Sequence, residues 1–299
     1  MSTKAADIIA QLEATASPTT AQVAEAAKPV RVYRHRWPTR IWHWVNAITL
    51  LVLLMSGLMI FNAYPRLHWG NYGAINDPAW LEIRSTADDG FLRVGSVEVK
   101  TTGVLGHWTN AEGETKRWAF PYWATIPSGY SLADGRLWHL FFAWVLAISM
   151  TLYMLWSLLS RHISRDLHVT RSEWSPRHIV HDIKEHALLR FPTGEAAARY
   201  NVLQKLAYIS VIFIMLPLMI LTGLAMSPGF NATAPWILDL LGGRQSARSI
   251  HFITMLALVG FFFVHMAMVL LAGPINEVRS MLTGWFTLPQ PKTPKGDAA

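Results

Sequence analysis

Four stretches of the chain lose almost all polar punctuation. Roughly residues 41 to 61, 137 to 159, 206 to 226 and 250 to 272 run apolar with very few charges inside them, and each matches the about 20 residues a helix needs to cross the hydrocarbon of a bilayer. One such run would also fit a buried core helix; four at full spanning length argue for membrane spans. Between 62 and 136 the pattern changes to turn and strand signals such as DPAW, DDGF and EVKTTGV. In the shorter connection, 227 to 249, the segment APWILDLLGG predicts an amphipathic stretch lying in the membrane interface. The predicted fold class is an all-α integral membrane protein: a four-transmembrane-helix bundle with a long periplasmic loop between spans 1 and 2.

Composition agrees with that pattern. The 299 residues are 52% hydrophobic and 15% charged, with a mean hydropathy of +0.25, far less polar than a soluble globular domain. Basic residues give the orientation, because positively charged flanks stay in the cytoplasm. Lys28, Arg31, Arg34, Arg36 and Arg40 precede the first span. Arg161, Arg165, Arg171, Arg177, Lys184, Arg190 and Arg199 fall in the loop from 160 to 202, and Arg279, Lys292 and Lys295 follow the last span. Both termini are therefore expected in the cytoplasm and the insertion 62–136 in the periplasm, in a bacterial inner membrane. The net charge of +7 is explained by this topology and by anionic lipid headgroups, with no nucleic-acid module visible.

Residues 1–30 hold no apolar signal region and read as a disordered cytoplasmic tail, and 288–299 read as a cytoplasmic tail, leaving 31–287 as the membrane domain. The insertion carries Trp69, Trp80, Trp108, Trp118, Tyr122 and Trp123, an aromatic content that predicts a small folded element able to dock a partner.

The chemistry of the chain lies in its histidines. The absence of cysteine excludes disulfides, cysteine-ligated iron–sulfur clusters and covalent haem attachment within this chain. Of twelve histidines, eight fall in loops or tails. The other four, His43, His139, His251 and His265, sit in the spans, where a histidine is costly and marks function by default. A helix-packing hydrogen bond accounts for any one of them, but not readily for the set. On the predicted topology His43 lies at the cytoplasmic depth and His139 at the periplasmic depth. The fourth span runs inward, with His251 near the periplasm and His265 fourteen residues deeper, about 21 Å along the axis and within about 40° of the same face. The histidines thus form two pairs, His139 with His251 and His43 with His265. Each pair suits one haem: two axial imidazoles fill the iron, leave no open position and favour electron transfer. A di-metal centre needs ligands around ions only about 4 Å apart, and zinc would lack ligands at either depth.

Gly57, fourteen residues after His43, either lets a flat macrocycle approach the helix or serves ordinary small-residue packing. Arg40, Arg136 and Arg248 each stand three residues before a candidate ligand, one turn nearer the surface, where they would pair with haem propionates or simply flank the membrane. His178, His181 and His186 lack the cysteines or carboxylates of a metal site and read as solvated loop residues. Two other function classes stay open: a haem-free transporter with a histidine proton relay, and a stand-alone haem b quinone reductase oxidising a small molecule such as superoxide. Spans without acidic interiors weigh against the first, and the large insertion weighs against the second.

The segments TRIWHWVNAITLLVLLMSGL, LWHLFFAW, RYNVLQKLAY and SIHFITMLALVGFFFVHMAM resemble the bacterial di-haem cytochrome b subunits of nickel–iron hydrogenase, formate dehydrogenase and thiosulfate reductase over roughly residues 33 to 287. The fourteen-residue histidine spacing is the most specific match. The resemblance implies two haem b with the same ligand pairing, and a quinone site near the cytoplasmic haem lined by Asn201, Gln204 and Lys205. It also implies a periplasmic partner enzyme, foremost a molybdopterin oxidoreductase, with electrons passing between that enzyme and ubiquinone or menaquinone.

Overall fold

A computed structural model describes residues 30–161, 175–188 and 202–289, the side chains at 178–179 and 186–187 excepted. Strand β1 (Arg31–Tyr33) leads into the first spanning helix, α1 (Trp37–Asn62). Strands β2 (Arg66–Leu67), β3 (Leu81–Ser85), β4 (Gly90–Val94) and β5 (Val97–Lys100) form one antiparallel sheet in that order, and β6 (Trp108–Thr109) with β7 (Thr115–Lys116) a separate hairpin. The second span is α2 (Leu132–Leu159), followed by α3 (Pro176–Ala187) and the third span, α4 (Val202–Met226). Short helices α5 (Pro228–Thr233) and α6 (Trp236–Leu240) precede the fourth span, α7 (Arg244–Ala272). Helix α8 (Pro274–Thr283) and strand β8 (Trp285–Thr287) complete the described chain.

Each span starts several residues before its apolar run. Hydropathy registers hydrocarbon, whereas a helix continues through polar first turns that lie at the headgroups. Pro38 stands in the first turn of α1, where its missing N–H is one of the unpaired donors anyway. Ser131 caps α2: its Oγ accepts from the Asp134 N–H at 3.3 Å and donates to the Asp134 carboxylate at 2.7 Å. Pro217, in the middle of α4, is accommodated by a π-helical turn over Val211–Met215, with the Leu216 N–H bonded to the Val211 carbonyl. Proline cannot donate to the carbonyl four residues back, and widening the preceding turn relieves its ring.

The core of the bundle joins α1 and α2 to α4 through Leu53, Leu146, Met150 and Leu216, with Trp42 stacked on Tyr153 at 4.2 Å between centroids. Met59 is wholly buried against Gly135, where a Cβ would come within 2.7 Å of the Met59 Cγ. At the far end of α4, Ala225, Ile237 and Ala247 form a second buried cluster that joins this helix to α6 and α7. Leu137, Phe141, Trp144, Ile148, Leu152 and Leu155 leave an exposed apolar stripe along α2, the face a spanning helix presents to lipid.

The insertion sits on the ends of the helices. Asn62 binds Phe120 twice, donating from Nδ2 to its carbonyl at 3.2 Å and accepting its N–H at 2.7 Å. The Trp80 indole donates to Ser249 Oγ at 2.9 Å, and Ser249 Oγ donates to the His68 carbonyl at 2.6 Å. Gly243, at φ 105°, opens α7 against Gly70, whose carbonyl oxygen would lie 2.6 Å from a Cβ at 243. At the other end β1 pairs with β8, and Arg34 bridges Glu277 at 3.3 Å. Two features were not expected from the sequence there. Helix α3 occupies part of the connection read as loop, with His181 exposed on it, and α8 follows the last span directly. The side chains of His178 and His186 lie outside the described residues.

Candidate functional site

Helix α7 faces both α1 and α2, and it brings the four membrane histidines together as two pairs. The His43 and His265 rings lie 6.3 Å apart between centroids, and the His139 and His251 rings are separated by the same 6.3 Å. The pairs sit at opposite ends of α7, about 21 Å apart along its axis by helix rise. His139 and His251 belong to the end that carries the insertion, and His43 and His265 to the end where β1 meets β8. His43 packs edge-on against Trp44, and His265 stacks on Phe261.

Gly57 lies against the His139–His251 pair: a Cβ there would come 3.3 Å from His139 Cε1. Gly223 on α4 stands in the same relation to His251, at 3.7 Å. The open backbone at both positions admits the histidine ring that lies over it.

A family model described as prokaryotic cytochrome b561 matches residues 34–284. The chain belongs to the prokaryotic cytochrome b561 family. Among curated relatives, the putative protein-methionine-sulfoxide reductase subunit YedZ1 of Azospira oryzae is 27% identical over 238 residues, covering 78% of this chain and 87% of the relative. The probable Ni/Fe-hydrogenase B-type cytochrome subunit of Cupriavidus necator is 25% identical over 280 residues, 89% of this chain and 91% of that one. No solved structure matches. Membership of this family makes the chain a membrane cytochrome b with haem b as its cofactor, and sets the haem-free transporter aside.

The residues present fit that cofactor. An imidazole nitrogen lies about 2 Å from a metal it ligates, and a five-membered ring with bonds near 1.35 Å places its atoms about 1.15 Å from its centre. Two such rings on opposite sides of one iron have centroids about 6.3 Å apart, the separation found in each pair. A porphyrin brings four ligands of its own, which complements the two imidazoles that each pair would offer.

The other residues singled out in the sequence are more dispersed. Arg40 donates from Nε to the Met281 carbonyl at 3.4 Å, beside the Trp44 indole, which donates to the same carbonyl at 3.3 Å. Arg136 is exposed near the start of α2. Arg248 is engaged with the backbone, donating to the Arg66 carbonyl at 2.9 Å and to the Tyr64 carbonyl, and it lies over the Phe61 and Tyr64 rings. Gln204 and Lys205 lie half-buried on the first turns of α4, while Asn201 lies outside the described residues.

Ser56 and Thr222 were missed by sequence reasoning. The Ser56 hydroxyl is 3.1 Å from His139 Nδ1 and the Thr222 hydroxyl 2.8 Å from His251 Nδ1. A usable signal lay in the doublets Ser56-Gly57 and Thr222-Gly223, the only steps in the first and third spans that join a hydroxyl to a glycine.

Proposed function

We propose that the chain is a membrane-anchoring di-haem b subunit that carries electrons between a quinone pool and a redox enzyme docked on its insertion. The observation that carries this reading is the pair of equal histidine separations at two depths of one helix bundle. His43 and His265 would hold one haem, His139 and His251 the other. Each haem, when bound, supplies a one-electron carrier, and two at different depths span most of the membrane.

Several features support the finer parts. The basic flanks orient both termini toward the cytoplasm, which sets the insertion in the periplasm. Arg40 and Arg136 stand one turn from candidate ligands, suited to haem propionates, with Arg248 the third of that set. Gln204 and Lys205 open the third span at the end that the basic flanks assign to the cytoplasm, and the Gln204 amide offers a hydrogen bond to a quinone carbonyl; Asn201, outside the described residues, is the third residue assigned to that site on the family resemblance. Both named relatives are subunits of redox enzymes, which supports a partner enzyme here; we assign it to the molybdopterin oxidoreductases on the family resemblance.

The test is a haem count with ligand variants. The purified chain should contain two non-covalent b haems per polypeptide by pyridine haemochrome. Alanine at His43 or His265 should remove one spectral component, and alanine at His139 or His251 the other. Losses that couple His43 with His251 refute the pairing, and a colourless protein from haem-replete cells refutes the reading entirely.

A further inference from the structure

Two membrane helices hold a histidine in the same way. His139 lies across Ser56 and Gly57 of α1, with Nδ1 at 3.1 Å from the hydroxyl and Cε1 over the glycine. His251 lies across Thr222 and Gly223 of α4 in the same stance, with Nδ1 at 2.8 Å. Both hydroxyl contacts are sealed from solvent, since Ser56 and Thr222 are 0% exposed.

The protons in these contacts can be assigned by counting. Ser56 Oγ donates to the Val52 carbonyl at 2.7 Å, and Thr222 Oγ1 donates to the Leu218 carbonyl at 2.6 Å. A hydroxyl has one proton and two lone pairs, so each oxygen meets its imidazole as an acceptor and the facing nitrogen carries the hydrogen. Nδ1 is thereby the N–H, and Nε2 keeps its lone pair. The other pair differs: among the described residues no hydroxyl bonds His43 or His265, and the buried His43 Nδ1 has no hydrogen-bond partner.

We propose that Ser56-Gly57 and Thr222-Gly223 are matched positioning devices that admit one imidazole each and lock it as an Nε2 ligand of the insertion-side haem. This rests on the two-haem reading above. Each glycine gives the ring room, and each hydroxyl fixes its rotation and tautomer. A hydrogen bond accepted from the far nitrogen makes the imidazole a stronger electron donor, which favours the oxidised state of a metal it ligates and lowers the potential of that haem alone.

The experiment is a redox titration of the full chain in lipid nanodiscs, followed optically and by electron paramagnetic resonance. Ser56→Ala and Thr222→Val should keep two haems and displace one of the two waves upward. The oxidised-to-reduced ratio of that haem at a fixed potential should fall by about threefold to tenfold, a shift of up to about 59 mV for one electron. Ser56→Thr and Thr222→Ser, which keep the hydroxyl, should titrate like the parent protein. Both waves unmoved in Ser56→Ala and Thr222→Val, or both moving together, would overturn the proposal. If those variants lose one haem, the hydroxyl-keeping pair decides: haem retained at the parent potential supports it, and haem lost overturns it. A parent protein with a single wave or none fails the two-haem reading, a different result from two waves that ignore the hydroxyls.

Discussion

Arg248→Met separates two roles that the position of Arg248 allows. The guanidinium donates to the Arg66 carbonyl at 2.9 Å and to the Tyr64 carbonyl, and its carbon lies 5.5 Å from the Phe61 ring centre and 5.3 Å from that of Tyr64. Methionine keeps much of the stem and removes every donor. A hydrogen bond to a charged group contributes roughly 1.5 to 3 kcal/mol, and a cation–π contact roughly 0.5 to 1 kcal/mol at exposed sites. The Tyr64 carbonyl is not stranded by the change, because it also accepts the Arg66 N–H at 2.9 Å. A net loss of about 3 kcal/mol, or about 150-fold in an equilibrium constant, follows once that compensation is allowed for. The loss falls on the docking of the insertion rather than on the bundle, since the neighbouring contacts are local: the Gln245 and Ser246 amides on the Gly70 carbonyl at 2.9 and 3.2 Å, and Trp80 on Ser249. Hydrogen exchange of residues 64–84 in nanodiscs should quicken by up to about 150-fold with both haems bound. Unchanged exchange refutes the clamp, and unchanged exchange with one haem lost gives Arg248 to a propionate instead.

Three further outcomes are expected. Gly57→Val should expel the insertion-side haem and spare the other, because a Cβ already lies 3.3 Å from His139 Cε1 and two methyl groups cannot be absorbed there; an unchanged haem count would contradict it. Gln204→Leu should leave both haems bound and slow their reduction by a quinol analogue about two- to tenfold, the equivalent of one net hydrogen bond; stopped-flow rates equal to the parent's would move the quinone to the other end. The Asp89 carboxyl is held below the usual carboxylate range by hydrogen bonds from Lys100 and then Thr102, so its contribution to the β4–β5 hairpin persists at neutral pH and is lost as pH falls through that lowered value. Lys100→Met should return the Asp89 titration midpoint upward toward the ordinary range by NMR, and an unmoved midpoint would show that the lysine is not the cause.

The spans and the histidine depths could be read from the sequence because a bilayer imposes constraints that are local along the chain. A helix must remain apolar for a fixed length, and each intervening loop reverses direction, so position within a run already gives depth. The same constraint pairs His43 with His265 and His139 with His251, and the rings lie together in those pairs. It could not show that the loop after α1 would fold into a four-stranded sheet docked on Ser246 and Ser249 of α7, nor that β1 would find β8 across nearly the whole chain. Those partners are remote in sequence and their pairing carries no periodic signal. The contacts of Ser56 and Thr222 with the imidazoles were only partly legible, since the doublets mark the steps but not which ring meets them. A serine or threonine in a membrane helix bonds its own backbone whatever lies beside it, and only the approach of α2 and α7 decides that its remaining lone pair faces an imidazole. The membrane determined where the histidines sit along the normal; helix packing alone determined how each ring is turned.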